Sequence, residues 1–278
     1  EEAASCSKKD TLGKHWLAGV APTGVPSQLA GTTLDWDYGD VGSLRAVFDA
    51  HPGEVAAVVM ECARDGPPPA GFLEAVRELC DAEKSVLIFD EVSAAFRENC
   101  GGRHLAYGVV PDICTFSKTL SNGFAMAAML GRPEVRLSLL LLLLLYVCLQ
   151  LTSLLLLQVM SSAQDTFIST TYHTERLGPV AALATLRKFQ RCDVQRVICE
   201  RGASIKQKWA KHGESSGLPL TVGGWDSWPN FGWGTLAKGA DALLLTSLFT
   251  QEMLVRGFLA NTVVAVSFAH TEEVLALY

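Results

Sequence analysis

The sequence has no cluster of basic residues. Its 278 residues include 23 Lys and Arg against 29 Asp and Glu, for a net charge of −6, and the basic residues are scattered along the chain. A nucleic-acid-binding surface needs a basic patch or stripe that neutralises phosphates, so we expect no nucleic-acid partner. Hydrophobic residues make up 49% of the chain, which excludes intrinsic disorder as a description of the whole.

The sequence also lacks a paired cysteine motif. None of its eight cysteines lies in a CxxC pair, and no CxxC is followed by histidines at zinc-binding spacing. A metal site is therefore not expected. Most of the cysteines fall in apolar stretches, which indicates reduced, buried thiols of an intracellular protein.

A signal peptide is missing from the N-terminus, which has no initiator Met, basic leader or apolar core. We interpret it as the start of a chain cut from something longer. The cytoplasm is the expected compartment, with the mitochondrion as the alternative.

One long hydrophobic run is present, at residues 137–157, and it is nearly pure leucine without a charge. Its length would allow a transmembrane helix. A buried or surface-lying helix is the second interpretation. We favour a third, a leucine-rich insertion over 136–159 that is foreign to the fold, because both flanks look like parts of one globular domain. A membrane association is therefore unexpected but not excluded.

Short apolar strands alternate with helices in the remainder. Buried strands are predicted at 55–60 and 85–89, with the amphipathic helix 71–83 between them. Further strands are predicted at 112–116, 124–130 and 166–170, and helices at 175–190, 195–212 and about 239–256, with a Gly- and Trp-rich stretch at 223–234. This order indicates an α/β fold with a mostly parallel sheet covered by helices, followed by a smaller α+β domain.

Asp90 and Lys118 are the candidate catalytic residues. Each follows an apolar strand, so both are expected at the sheet edge where ligands bind in such folds. A carboxylate and a lysine facing one ligand suit pyridoxal phosphate chemistry, since the amine forms a Schiff base and the carboxylate keeps the pyridine nitrogen protonated. From spacing alone, a loop-capping Asp and a solvated surface Lys are the favoured interpretation, since any α/β protein offers such pairs.

The stretch 86–132 as a whole resembles the class III (ornithine-type) aminotransferases. The resemblance rests on Asp90-Glu91-Val92, Phe96-Arg97, Tyr107-Gly108-Val109, Pro111-Asp112-Ile113 and Ser117-Lys118, in the family's order and spacing. It extends over most of 35–135 and 160–275, and within the family it is greatest to the branch that resembles glutamate-1-semialdehyde 2,1-aminomutase. It implies the type I fold of pyridoxal-phosphate enzymes and a homodimer acting on small amino donors and acceptors.

The resemblance also implies roles for single residues. Lys118 would be the Schiff-base lysine and proton carrier, Asp90 would hold the pyridine nitrogen, and Val92 would pack on the ring. Thr171 matches a position that binds the cofactor phosphate from the neighbouring subunit. Ordinary core packing for Val92 and a strand-end hydrogen bond for Thr171 remain alternatives.

Two departures from the family affect the expected activity. The N-terminal half that supplies the phosphate-binding loop is largely missing, and the leucine-rich insertion separates Lys118 from Thr171. We therefore expect a partial large domain over 1–191, an incomplete small domain over 192–278, and weak or absent turnover. The alternatives to a transaminase or aminomutase are an inactive descendant that acts as a binding or dimerisation module, and a membrane-anchored protein.

Overall fold

The computed structural model describes residues 26, 28, 31–63, 66–131, 175–235 and 241–278. The chain divides into two compact units, Glu1–Val59 with Pro68–Ile88 and Met60–Pro67 with Phe89–Tyr278. The leucine-rich segment, the predicted strand at 166–170 and Thr171 lie outside the described residues. The predicted domain boundary at residue 192 stays a prediction.

Two helices form the core of the first unit. Helix α1 (Val41–Ala50) begins where the Asp40 side chain accepts a hydrogen bond from the Gly42 N–H at 2.8 Å, an ordinary N-cap. Helix α2 (Phe72–Glu83) follows the prolines at 67–69, as its periodicity predicts. The two helices bury their apolar faces, and removing these faces from water is the main stabilising contribution. The buried residues are Leu44, Val47, Phe48, Phe72, Leu73, Val76, Leu79 and Cys80.

A four-stranded sheet contains β1 (Ala57–Met60), β2 (Val86–Asp90), β3 (Ile113–Phe116) and β4 (Ala128–Gly131), in that order. The start of β2 bonds to the start of β1, through the Val86 N–H and the Ala56 carbonyl, and the Glu91 N–H just past β2 bonds to the Thr115 carbonyl near the end of β3. These bonds are those expected of parallel neighbours. Among the described strands of this sheet, β4 alone runs antiparallel, paired with β3.

The C-terminal part of the second unit packs helices on a β-hairpin. Its elements are α3 (Leu177–Arg191), α4 (Val194–Ser216), β5 (Leu220–Trp225), β6 (Trp228–Trp233), α5 (Ala242–Val255) and α6 (Glu272–Leu277). One apolar cluster joins α4, the hairpin, α5 and α6, and it is centred on Ile205, Trp209, Phe231 and Val266. The Trp209 and Phe231 rings meet edge to face at 4.9 Å between centroids, a favoured aromatic geometry.

The two largest differences from the predicted element boundaries are four residues each. Strand β4 begins at Ala128 rather than 124, because a turn at Ser121–Phe124, closed by the Ser121 hydroxyl on the Phe124 carbonyl, occupies the preceding residues. Helix α4 continues one turn past its predicted end, to Ser216, and stops where Gly217 adopts a left-handed conformation.

No helix within the described ranges is long and apolar enough to cross a bilayer.

Candidate active site

Asp90 ends β2, and its carboxylate is held by its own neighbourhood. Oδ1 accepts the Val92 N–H at 2.9 Å and the Thr115 hydroxyl at 3.4 Å. Among the described residues, Oδ2 has no hydrogen-bond donor. One oxygen therefore fixes the orientation of this half-buried carboxylate while the other is left for a further partner.

Lys118 lies just beyond β3, at the start of a single 3₁₀ turn over Lys118–Leu120. Its φ of +39° is uncommon for a residue with a side chain and indicates local backbone strain. The side chain is exposed, and Nζ donates to the Ser93 hydroxyl at 2.5 Å. Ser93 is the residue that sequence reasoning missed, and its only signal was a small hydroxyl three positions after Asp90.

The structure brings Asp90, Val92 and Lys118 to one edge of the sheet. The Glu91–Thr115 backbone bond, at 3.0 Å, places the ends of β2 and β3 side by side. Ser93 then connects the loop after β2 to the lysine after β3. The functional roles of the three residues stay predictions.

Glu91 organises the loop that follows β2, a feature that the sequence did not reveal. Its side chain is 0% exposed and accepts four hydrogen bonds: from Arg103 N (2.8 Å), His104 N (2.8 Å), His104 Nδ1 (2.8 Å) and Cys62 Sγ (3.3 Å). Burial alone would raise the pKa of Glu91, but the bonds from His104 and Arg103 bring it below its ordinary value. A buried carboxylate therefore fixes the start and the end of the loop together.

The neighbouring thiols stay protonated. Burial first, and then the charge of Glu91, raise the pKa of Cys62, and the same causes raise the pKa of Cys114 to about 12. Cys114 Sγ lies 3.7 Å from His104 Nδ1. The described residues contain no group of three His, Cys, Asp or Glu side chains that could hold a metal ion.

The same loop is bonded to the β5–β6 hairpin. Glu98 accepts the Ser227 N–H at 3.2 Å and the Ser227 hydroxyl at 3.1 Å, and it forms an ion pair with Arg103. The Arg97 and Arg103 guanidinium groups stack over Trp228 and Trp225, each 4.1 Å from the ring centre. The loop between β2 and β3 thus joins the lysine-bearing sheet edge to the hairpin.

The class-III aminotransferase model matches residues 40–222 of the chain. A 3-aminobutyryl-CoA aminotransferase of Cloacimonas acidaminovorans is 30% identical over 82% of the chain, and a glutamate-1-semialdehyde 2,1-aminomutase of Nitratidesulfovibrio vulgaris is 29% identical over 91%. The chain spans 51% and 58% of these two relatives.

Solved structures agree on the fold. An omega-transaminase of Sphaerobacter thermophilus superposes with a TM-score of 0.73 at 18% identity, over 92% of this chain and 57% of that one. A glutamate-1-semialdehyde aminomutase of Pseudomonas aeruginosa superposes with a TM-score of 0.68 at 21% identity, over 94% and 57%. The predicted type I transferase fold is confirmed, and the chain belongs to the class-III aminotransferase family.

Proposed function

We propose that this chain carries the lysine half of a pyridoxal-phosphate-dependent transaminase or aminomutase that moves an amino group on a small amino acid or amino-aldehyde. The observation that carries the proposal is the geometry of Lys118 and Asp90. Each lies at the end of one of two neighbouring strands. The lysine side chain is exposed to solvent, and its Nζ donates a hydrogen bond to Ser93.

The side chains at this edge fit the cofactor. Lys118 has an accessible amine whose one hydrogen-bond partner in the described part of the chain is the neutral Ser93 hydroxyl. Asp90 offers the carboxylate oxygen Oδ2, which would accept a hydrogen bond from the protonated pyridine nitrogen. Val92 lies between them in the sequence, half-buried, where a ring face would pack. When bound, pyridoxal phosphate supplies an electron sink that stabilises negative charge on the substrate carbon.

The chain's own residues account for positioning and proton movement. Asp90 is oriented by Val92 N and Thr115 Oγ1, so its charge is fixed before a ligand arrives. The Lys118 amine, when it is not covalently linked to the cofactor, is the group that would carry a proton between neighbouring substrate carbons. Ser93 Oγ accepts from Nζ and holds the amine over the loop. Thr171 remains the proposed phosphate contact, by family resemblance.

Borohydride reduction in the presence of pyridoxal phosphate, followed by peptide mass mapping, tests the proposal. We expect a phosphopyridoxyl adduct on Lys118 that is lost in Lys118→Ala and kept in Lys211→Ala, which removes an exposed lysine from α4. An adduct spread over surface lysines, or present in Lys118→Ala, would contradict the assignment. A specific adduct without amino-group transfer to any keto acid would favour the inactive, cofactor-binding descendant.

Three broader proposals accompany this function. We infer a homodimer, a partial large domain over 1–191 with an incomplete small domain over 192–278, and a cytoplasmic location. The buried Cys114 thiol, which forms no disulfide within the described residues, supports a reducing compartment.

A further inference from the structure

The Lys118 amine is anchored at one point within the described part of the chain. Its Nζ donates to the Ser93 hydroxyl at 2.5 Å. A lysine amine is carried by a flexible four-carbon stem, so an exposed amine without an anchor would sample many positions. The acceptor is a neutral hydroxyl, which directs the amine without pairing its charge. The position of Ser93 therefore decides where the amine is found.

Ser93 is held in turn by Arg97, four residues further along the same loop. Arg97 Nε donates to the Ser93 carbonyl at 2.6 Å. Burial lowers the pKa of Arg97, since its guanidinium has lost much of its contact with water. No ion pair joins Arg97 to a carboxylate among the described residues. Its contacts there are the Ser93 carbonyl and an aromatic ring, so the side chain acts on the loop rather than on a charge.

The aromatic ring belongs to the β5–β6 hairpin. The Arg97 guanidinium lies 4.1 Å from the centre of the Trp228 ring, at the first residue of β6. Ser227, the preceding residue, is 2% exposed and donates its N–H and its hydroxyl to Glu98, at 3.2 and 3.1 Å. The stacking of Arg97 and the two hydrogen bonds to its neighbour fix this part of the loop against the hairpin.

The same loop is bonded to the lysine turn a second time and also carries the candidate carboxylate. Thr119 Oγ1 donates to the Ala95 carbonyl at 3.1 Å. Ser93 follows Asp90 by three positions, and the carboxylate of Asp90 is oriented by the Val92 N–H. The short segment 90–97 therefore sets the Asp90 carboxylate and the Lys118 amine in position relative to each other.

We propose that Arg97, packed on Trp228, is a positioning residue for the Lys118 amine and acts through Ser93. The inference rests on the proposed function, because the direction of the amine matters only if Lys118 attacks the cofactor aldehyde. In that step a bond forms between Nζ and the aldehyde carbon, and the aldehyde oxygen leaves as water. An amine that is already directed at the site reacts faster than one that must first find its orientation. The hairpin thus contributes to a reaction that it does not touch.

Two aldehydes test the proposal on the 278-residue chain, each with borohydride and with mass mapping of Lys118 over time. Pyridoxal phosphate has to be oriented in the site, whereas formaldehyde methylates any accessible amine. We expect Ser93→Ala to slow the phosphopyridoxyl adduct about tenfold, since a hydrogen bond to a charged group contributes roughly that much. Arg97→Gln should slow it about threefold, through loss of the cation–π contact. Formaldehyde should methylate Lys118 at the wild-type rate in both variants.

Two further variants serve as controls. Ser93→Thr keeps the hydroxyl and should restore the wild-type rate with pyridoxal phosphate. Arg103→Gln is the matched control for Arg97, because Arg103 stacks over Trp225 from the same loop, also at 4.1 Å, but its side chain contacts Tyr107 and Glu98 rather than Ser93. It should leave the rate unchanged. Circular dichroism checks that all variants fold.

Three outcomes would overturn the inference. They are a wild-type rate with pyridoxal phosphate in Ser93→Ala or Arg97→Gln, an equal slowing of formaldehyde methylation, which would show that the lysine had only become less accessible, and an equal loss in Arg103→Gln, which would show a general effect of loop stability. A wild-type chain without a specific Lys118 adduct would refute the proposed function and this inference with it. A specific adduct that the variants leave unaffected would refute this inference alone.

Discussion

At the scale of single residues, Glu91 is the buried charge on which the candidate site depends. We expect Glu91→Gln to destabilise the chain by about 2 kcal/mol, since the amide keeps the volume but loses charge-assisted bonds from Arg103 and His104. Urea unfolding measures the change. Glu54→Gln is the control, because its ion pair with His51 is exposed and should contribute little.

The stability difference should depend on pH in one direction. Folding lowers the pKa of Glu91 below its ordinary value of 4.5, so the unfolded chain binds the proton more readily. The stabilisation is therefore complete above pH 4.5 and is lost as the pH falls through the lowered pKa. The difference in the free energy of unfolding between the wild type and Glu91→Gln should therefore decrease in acid. A difference that increased there would contradict the role given to this carboxylate.

Local sequence predicted Asp90 and Lys118 but not their closest contacts. Both residues follow apolar strands, which the pattern of the chain reveals directly. The Ser93 contact and the Glu91 bonds depend on how the loop from 91 to 104 folds back, and no periodicity encodes that path. A buried Glu also defies the usual preference of charged residues for the surface, so composition could not identify it.

At the scale of elements, α4 packs against the β5–β6 turn with no room to spare. A Cβ on Gly202 would lie 1.6 Å from the Asp226 carbonyl oxygen, a backbone atom that cannot move alone. We expect Gly202→Ala to destabilise the chain by about 3 kcal/mol, as overpacking does. Gly232→Ala is the matched control, since its Cβ would meet nothing within 4 Å. Thermal unfolding of both variants measures the effect. Equal melting temperatures for Gly202→Ala and Gly232→Ala would disprove the close packing.

Prediction at this scale succeeded where one signal dominated. Apolar β-branched runs predicted β1, β2 and β3, and amphipathic spacing predicted α2. The β5–β6 hairpin was not predicted, because its glycines and tryptophans interrupt the alternation of polar and apolar residues that is typical of strands. Its register pairs Trp225 with Trp228 across a two-residue turn, and that pairing appears only once the chain has folded.

At the scale of the whole molecule, α5 presents an apolar row that no other described residue buries. Leu244, Leu248 and Val255 are 67%, 51% and 79% exposed, and no residue of this helix is buried. A second copy of the chain would remove this row from water, in agreement with the proposed homodimer. We expect sedimentation velocity to give twice the 29.9 kDa chain mass, and Leu248→Glu to shift the chain toward the monomer.

Ser215→Glu is the control for that experiment, because it adds the same charge at an exposed position of α4. It should sediment like the wild type. A wild-type monomer, or a dimer unaffected by Leu248→Glu, would exclude α5 as the contact.

The left-handed backbone at Lys118 means that the residue needed for the reaction lowers the stability of the fold. A side chain held at a φ of +39° costs roughly 1–3 kcal/mol, whereas glycine adopts that conformation freely. Glycine at this position would therefore relieve the backbone strain of the turn, but it would also remove the side-chain amine. A homologue that keeps lysine here has a less stable fold but retains the reactive amine. In a homologue that no longer catalyses the reaction, glycine could replace the lysine and make the fold more stable.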